Sequence, residues 1–181
     1  MTGSETLTPA SPVEAPAFYV GSEVGRLRKV LVHRPDLSLQ RLTPSNVRDL
    51  LFDDVLWVRR AREQHDVFVD HLRDRGVEVY LLRDLLSETL TSSEEVRQEI
   101  VEHVVTERTV GASLCDEIQA YLLEMSPDDL ATHLIGGLER SEMEGLDLSG
   151  SLMARAGPET SFVLPPLPNS LFTRDSSSWI Y

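Results

Sequence analysis

Hydrophobic residues recur at two spacings in the first half of the chain and predict a strand, a helix and a second strand. The apolar run at 27–33 predicts a strand that ends before Pro35, because proline lacks the N–H that a sheet ladder needs. Helical spacing predicts a helix over 55–75, and Gly76 is a suitable left-handed residue to end it. The apolar run at 77–82 predicts a buried strand, and this order of elements is typical of an α/β unit. The residues expected on the buried face of the helix are Trp57, Ala61, Phe68 and Leu72.

The middle of the chain carries apolar residues at helical spacing and predicts a small bundle of amphipathic helices. Ser92 and Glu95 have the spacing of a capping box, with Ser92 as the N-cap. Ser126 followed by Pro127 predicts another helix start, and the pair Gly136–Gly137 weakens that helix near its end. The stripes expected to pack together are Val96, Ile100, Val104 and Val105; Leu114, Ile118, Tyr121, Leu122 and Met125; and Leu130, Leu134 and Leu138.

Prolines punctuate the segments outside these elements. Thr43 and Pro44 predict a helix start, with Thr43 as the cap. Beyond Gly157, prolines separate three strand-like runs: 162–164, 170–172 and 178–181. The sequence stops inside the last run, and domain boundaries rarely fall within an apolar strand. We therefore expect either a truncated sequence or a fold that a partner completes.

Charge divides the chain more sharply than hydrophobicity does. Residues 84–150 contain 16 acidic and 3 basic side chains and account for the whole net charge of -13, so the remainder is neutral. Together with the apolar pattern, this step predicts four segments: a disordered lead-in at 1–18, the first part of an α/β domain at 19–83, an acidic helical insertion at 84–150, and a return to the α/β domain at 151–181. So acidic a chain is unsuited to binding nucleic acid or an anionic membrane surface.

The sequence carries no pattern for membrane insertion or export. No stretch approaches the roughly 20 apolar residues needed to cross a bilayer, and the first 16 residues lack the basic start and apolar run of a secretory signal. Cys115 is the single cysteine, which excludes an internal disulfide. These observations together favour a cytoplasmic protein.

The segment 168–175 combines residue types that suit a planar cationic ligand. Asp175 supplies a carboxylate, which can pair with a guanidinium through two parallel hydrogen bonds. Phe172 supplies a ring that can stack on the same cation, and Asn169 adds an amide three residues earlier. On spacing alone the plainer interpretation is favoured, a surface β-turn in which Arg174 and Asp175 form ordinary salt bridges.

Three ordered blocks change that balance, because together they resemble the arginine deiminase family. The block at 166–181 contains Asn169 and a Phe-Thr-Arg-Asp motif at 172–175. The blocks at 22–35 and 51–65 resemble the family's opening strand and its second block. The acidic segment lies where the family inserts a helical bundle. The resemblance covers the chain from about residue 19 onward, and it implies part of a pseudo-fivefold α/β propeller of ββαβ units with an inserted acidic helical bundle.

The resemblance also implies a reaction, the hydrolysis of L-arginine to L-citrulline and ammonia without a cofactor. Asp175 would grip the substrate guanidinium, and Asn169 and Phe172 would line the substrate pocket. In the family a cysteine thiolate attacks the guanidinium carbon, a histidine transfers protons, and the covalent thiouronium intermediate is hydrolysed. The family carries that cysteine in a Gly-rich motif near the C-terminus and that histidine in a His-X-Asp motif after the motif aspartate. Both residues are therefore expected to be absent from this chain, and the full-length protein is expected to be a homo-oligomer.

The other chemistry-bearing residues are interpreted as structural. Cys115 lies beside an apolar stripe and among carboxylates, which raise the pKa of a thiol, so a buried thiol is favoured over a nucleophile. The five histidines have no metal-ligand spacing, and no metal is expected. Asp53 and Asp54 are interpreted as N-terminal charge of the helix that follows, with a pocket role as the alternative.

Two other functions stay open. One is a catalytically inactive, truncated fragment that at most binds arginine. The other is a different guanidino-modifying enzyme, such as an amidinotransferase or a dimethylarginine hydrolase. The helical insert and the segment that runs from Asn169 to Asp175 favour the deiminase over these relatives.

Overall fold

The computed structural model describes residues 20–143 and 162–175. In chain order the elements are β1 (Lys29–Val32), α1 (Leu37–Gln40), α2 (Val58–Asp74), β2 (Glu78–Leu81), α3 (Leu82–Ser92), α4 (Glu94–Val104), α5 (Glu107–Val110), α6 (Cys115–Glu124), α7 (Pro127–Gly136), β3 (Leu138–Glu139) and β4 (Phe162–Leu164). Two short 3-10 helices, Arg140–Glu142 and Pro168–Leu171, precede and follow β4. The mixed α/β character predicted from the sequence is confirmed at this level.

The first unit is a parallel strand pair connected through α2. β1 and β2 pair in register from Lys29 opposite Glu78 to Val32 opposite Leu81. The predicted stop of α2 is confirmed, because Gly76 has a φ of 75° and the N–H of Val77 returns to the carbonyl of Leu72 at 3.1 Å. Both strands are four residues long, and they are half-buried rather than buried as β2 was predicted to be.

The buried face of α2 differs from the predicted one. Val58 and Val69 are its buried residues, whereas Trp57 is 70% exposed and Phe68 is 52% exposed. Polar contacts set this rotation, since Arg62 Nε donates to the carbonyl of Pro35 at 2.8 Å and its guanidinium pairs with Asp36. The helix therefore faces the end of β1 with charged side chains, and the aromatic residues lie on the other side.

The main core lies among α3, α4, α6 and α7. Its fully buried residues are Val101, Val105, Ile118, Leu122, Leu130, Ala131 and Leu138. Of the stripe predicted for α4, Val105 is buried, but Val104 is exposed and Val101 is buried in its place. The start of α7 is confirmed, because Ser126 Oγ accepts from the N–H of Asp129 at 3.1 Å and Pro127 follows. The cap of α4 is Ser93 rather than Ser92, whose hydroxyl instead donates to Thr89 O at the end of α3.

Residues 43–51 form hydrogen-bonded turns instead of the predicted helix. The Asn46 side chain accepts from Thr43 N at 2.8 Å and donates to Arg41 O at 2.9 Å, which satisfies backbone groups that a helix would use. Leu51 has a φ of 61°, a left-handed value that ends any helical course. These turns enclose a second, smaller core of Leu39, Leu42, Val47 and Val58, with Leu50, Phe52 and Leu171 packed against it.

The returning segment packs against the end of the bundle. β4 pairs antiparallel with β3, which confirms the strand predicted at 162–164, and Leu164 belongs to the main core. Residues 170–172 were predicted to be strand-like, but Pro168–Leu171 is a 3-10 helix with proline at its first turn. Proline fixes φ and lacks a donor, so it suits a helix start better than a strand. The run predicted at 178–181 lies outside the described residues.

Two glycines at the end of α7 allow close backbone approaches. A Cβ at Gly136 would lie 2.7 Å from the side chain of Leu37 in α1. Gly137 has a φ of 81°, and a Cβ there would lie 2.7 Å from Pro166 N and 2.8 Å from Leu164 O. These positions accept no side chain without movement of the neighbouring backbone.

We expect Gly137→Ala to destabilise the protein more than Gly111→Ala. The two glycines have similar backbone angles, φ 81° and ψ 166° against φ 89° and ψ 147°, but nothing lies within 4 Å of a Cβ at Gly111. Both substitutions incur the backbone strain of roughly 1–3 kcal/mol, and only Gly137→Ala adds a backbone clash. Urea unfolding of the two variants measures the difference. Equal losses in the free energy of unfolding would show that the approach to Pro166 is not tight.

Candidate functional site

An open depression of about 540 Å³ lies between two loops, residues 49–51 and residues 166–175. It is lined by Asn169, Phe172 and Asp175, the three residues singled out from the sequence, and also by Asp49 and Leu51. The first loop comes from the turns that follow α1, and the second follows β4. The three predicted residues therefore lie around one cavity, although their roles are not decided by that placement.

Asn169 joins the two loops. Its side-chain Nδ2 donates to the carbonyl of Leu50 at 3.0 Å, across 119 positions of sequence. The residue lies in the 3-10 helix Pro168–Leu171 and is itself exposed. One N–H of the amide is engaged in this bond, and the side-chain oxygen of Asn169 can accept a hydrogen bond from a ligand.

Phe172 brings an aromatic ring to the same place. Its ring lies 6.3 Å from the ring of Phe52 at an interplanar angle of 29°, and half of the residue is exposed. Such offset aromatic pairs contribute about 0.5–1.5 kcal/mol beyond the area they bury. The stack therefore holds Phe172 at the depression and leaves ring surface accessible to a cation.

Asp175 ends a turn in which its own N–H donates to Phe172 O at 3.0 Å. The neighbouring Arg174 pairs with Glu23 rather than with Asp175. Within the parts of the chain that the structure describes, no ion pair of Asp175 is seen. The segment is thus a surface turn in which Arg174 forms an ordinary salt bridge, as the plainer interpretation expected. The carboxylate of Asp175 instead lies exposed at the depression.

Sequence reasoning did not single out Asp49 or Leu51. Leu51 opens the block at 51–65, but nothing in its residue type pointed to a lining role. Asp49 lies within the turns that were predicted to be helical, so the direction of its side chain could not be inferred. The left-handed φ of Leu51 depends on tertiary structure and could not be predicted from the sequence.

Cys115 belongs to the main core and not to the depression. It is 7% exposed, its Sγ lies 3.6 Å from Val105 O, and Gln119 Nε2 donates to it at 3.5 Å. Burial raises the pKa of the thiol, and the carboxylates of Asp116 and Glu107 raise it further. Near neutral pH the group is a protonated thiol, which is a poor nucleophile.

Two histidines of the first unit have buried ring nitrogens: His33, which is buried, and His65, which is partly buried. His33 closes β1 and is 3% exposed, and neither of its ring nitrogens nor those of His65 has a hydrogen-bond partner among the described residues. Burial lowers the pKa of both histidines from the ordinary 6.5, which Asp36 partly opposes at His33 and Asp66 at His65. Each is therefore held in the neutral form.

Other groups considered from the sequence lie elsewhere. The described residues contain no grouping of three or more His, Cys, Asp and Glu side chains that could hold a metal ion. The interpretation of Asp53 and Asp54 as helix N-terminal charge is wrong, because α2 begins at Val58 and has no acidic residue in its first turn. Instead, Asp54 accepts from the N–H of Val55 at 2.7 Å.

None of the helices in the described ranges combines the length and the apolar character that a membrane span requires. The comparison with protein families gives a match to the model described as arginine deiminase, over residues 48–181. The matched range includes both loops of the depression and all helices from α2 to α7. The family identified from the three sequence blocks is confirmed by this match.

We expect the Cys115 thiol to resist modification in the folded protein. Its burial and raised pKa both reduce the exposed thiolate that an aromatic disulfide reagent requires. The measurement is the rate of thiol release near pH 7.5, in buffer and in denaturing urea. Reaction should be slow in buffer and fast in urea, and comparably fast reaction in both would contradict a buried thiol.

We expect stability to fall as pH is lowered below about 6.5. The pKa values of His33 and His65 are lowered on folding, so the unfolded chain takes up protons at a higher pH than the folded one. Protonation therefore stabilises the unfolded chain relative to the folded protein. Urea unfolding midpoints between about pH 7.5 and pH 5.5 measure this dependence. The double variant His33→Gln, His65→Gln should flatten the slope, whereas His71→Gln, at an exposed position, should not. An unchanged slope in the double variant would contradict the assignment.

Proposed function

The chain belongs to the arginine deiminase family, and we propose that it carries the guanidinium-binding part of an enzyme that hydrolyses L-arginine to L-citrulline and ammonia. The observation that supports this most directly is the depression lined by Asn169, Phe172 and Asp175, at which the carboxylate of Asp175 is exposed. A carboxylate without an ion-pair partner among the described residues, beside an accessible aromatic ring, suits a planar cation better than it suits an anion or a neutral ligand.

Each lining residue has a part that its contacts support. Asp175 would receive two N–H groups of the guanidinium in a bidentate pair. Phe172, steadied by Phe52, would stack on the flat face of the same group. Asn169 would accept a hydrogen bond through its side-chain oxygen, while one N–H of its amide is bound to Leu50 O. The three residues together would hold the guanidinium carbon in one orientation for attack.

The proposed reaction follows the chemistry of the family. A cysteine thiolate attacks the guanidinium carbon, and ammonia leaves with a proton supplied by a histidine. Water then attacks the resulting thiouronium carbon, which releases citrulline and restores the thiolate. Cys115 is unsuited to this role because it is buried with a raised pKa and lies apart from the residues that line the depression.

A second candidate function rests on that same cysteine. Because Cys115 is the single cysteine of the 181 residues and lies in the core, these residues by themselves would bind arginine without turning it over. An amidinotransferase or a dimethylarginine hydrolase would use the same guanidinium chemistry. Product analysis separates them, because only the deiminase releases ammonia and citrulline from unmodified arginine.

Several broader features belong to the same proposal. The parallel β1–β2 pair with α2 between its strands supports an α/β propeller, interrupted by the helical segment at 84–150 and resumed at 151–181. We also propose a cytoplasmic location and a homo-oligomer for the full-length protein. Sedimentation of the purified protein tests the oligomer.

The test of function is citrulline formation from L-arginine by the purified 181-residue chain, beside the longest product of the same gene. We expect binding without turnover in the 181-residue chain, and turnover in a product that also supplies an accessible cysteine and a histidine. Citrulline production by the 181-residue chain alone would overturn the structural assignment of Cys115, and Cys115→Ala would then be the deciding variant.

Asp175→Asn tests the guanidinium clamp. It keeps the size of the side chain and removes the charge, and hydrogen bonds to charged groups contribute about 1.5–3 kcal/mol, so kcat/KM should fall roughly tenfold to a hundredfold. The control is Asp74→Asn, which removes an exposed carboxylate at the end of α2, outside the depression. Equal activity in the two variants would contradict the role of Asp175.

A further inference from the structure

Thr173, between the aromatic ring and the carboxylate of the motif, is bound to the opening strand. Its hydroxyl donates to the carbonyl of Leu31 at 2.8 Å, across 142 positions of sequence. Leu31 lies in β1, which is held by its pairing with β2. Thr173 is half-buried, so this hydrogen bond is partly shielded from water. The turn that carries Asp175 is therefore attached to the sheet by a side chain that does not line the depression.

The other anchors of the segment act elsewhere. Asn169 is fixed to Leu50, and Phe172 is fixed by its stack on Phe52. These contacts hold the start and the middle of the segment, ahead of Asp175. The carboxylate itself has no side-chain partner among the described residues, so the backbone around it decides its direction.

Two contacts of neighbouring residues restrain the backbone around Asp175, one made by Thr173 and one by Arg174. The exposure of each contact to water indicates which restraint is stronger. Arg174 and Glu23 form an ion pair between side chains that are 82% and 74% exposed. Pairs of this kind contribute little, because water and salt screen them and two long side chains must be ordered. The Thr173 hydrogen bond has an ordinary length, is partly buried and is made to a strand that is paired along its whole length, so it is the stronger restraint.

We propose that Thr173 is a positioning residue that orients the carboxylate of Asp175 towards the guanidinium. Asp175 N–H closes the turn on Phe172 O, and Thr173 is the first residue inside that turn. The hydrogen bond from Thr173 to Leu31 O restrains the whole turn, and it thereby restrains the direction in which the Asp175 side chain points. This role rests on the proposed guanidinium binding by Asp175 and adds a residue that makes no contact with the ligand.

The test compares Thr173→Val with Thr173→Ser in the product of this gene that forms citrulline from arginine. Valine keeps the β-branched shape and removes the donor, whereas serine keeps the donor and removes a methyl group. Misplacing a binding group by about 1 Å costs on the order of a hundredfold in rate, so kcat should fall about tenfold to a hundredfold in the valine variant. KM should change less, and serine should restore most of the activity.

The melting temperature of each variant separates positioning from stability. If Thr173→Val is folded and its kcat equals that of the unchanged protein, or if serine fails as severely as valine, the proposal is overturned. If the valine variant does not fold, Thr173→Ala is judged by the same comparison with serine, because alanine also lacks the donor and avoids overpacking. A low kcat in a folded variant without the hydroxyl, rescued by serine, supports the proposal.

The outcomes also separate this inference from the proposed function. An unchanged protein that forms no citrulline from arginine contradicts the function itself. An active protein in which Asp175→Asn is impaired and Thr173→Val is not contradicts only the role of Thr173.

Discussion

The close approach at Gly136 and Gly137 is the constraint on which the arrangement of the two loops depends. At this point α7 touches α1 on one side and the returning segment on the other, with no room for a Cβ. Just beyond it, β3 pairs with β4, and the N–H of Leu167 donates to Ile135 O at 2.9 Å. The loop that carries the candidate site residues is thus laid against the end of a bundle helix. The helical bundle thereby supports one wall of the depression.

Electrostatics links the same two parts of the protein. The segment at 84–150 has only 3 basic residues against 16 acidic ones, so it cannot neutralise itself. An arginine from the preceding segment supplies charge at its base. Arg41, whose side chain is 10% exposed, reaches Glu139 at 2.8 Å and Glu142. Within the bundle, Arg83 of α3 lies 3.4 Å from Asp128 of α7 and donates to Thr132 at 3.0 Å. The acidic bundle is therefore electrostatically tied to the α/β unit that precedes it.

Two local signals were read correctly from the sequence, whereas the helix start at Thr43 and the cap at Ser92 were not. The stop at Gly76 and the start at Ser126 follow from the chemistry of a single turn, and the structure has both. The exposed Trp57 and Phe68 show the limit, because polar contacts of Arg62 rotated α2 away from the face that hydrophobicity favours. Among the site residues, the motif Asn169, Phe172 and Asp175 could be found by resemblance. Asp49 could not be found in this way. Its place at the depression depends on the left-handed backbone of Leu51 and on the packing of that turn against residues 166–175, which are far away in sequence.

The contacts that hold the two loops connect residues far apart in sequence. This separation affects when the depression forms during folding. Its two closing hydrogen bonds span 119 and 142 positions, and the entropy of closing such loops opposes them in an unfolded chain. The helices between them fold from local contacts, and the packing of α3 against α7 shortens the gap to be closed. Chains emerge from the ribosome N-terminus first, so the bundle can form while the motif is still inside the exit tunnel. The two loops of the depression would thus be joined only after Asp175 has emerged, when the bundle between them can already be folded.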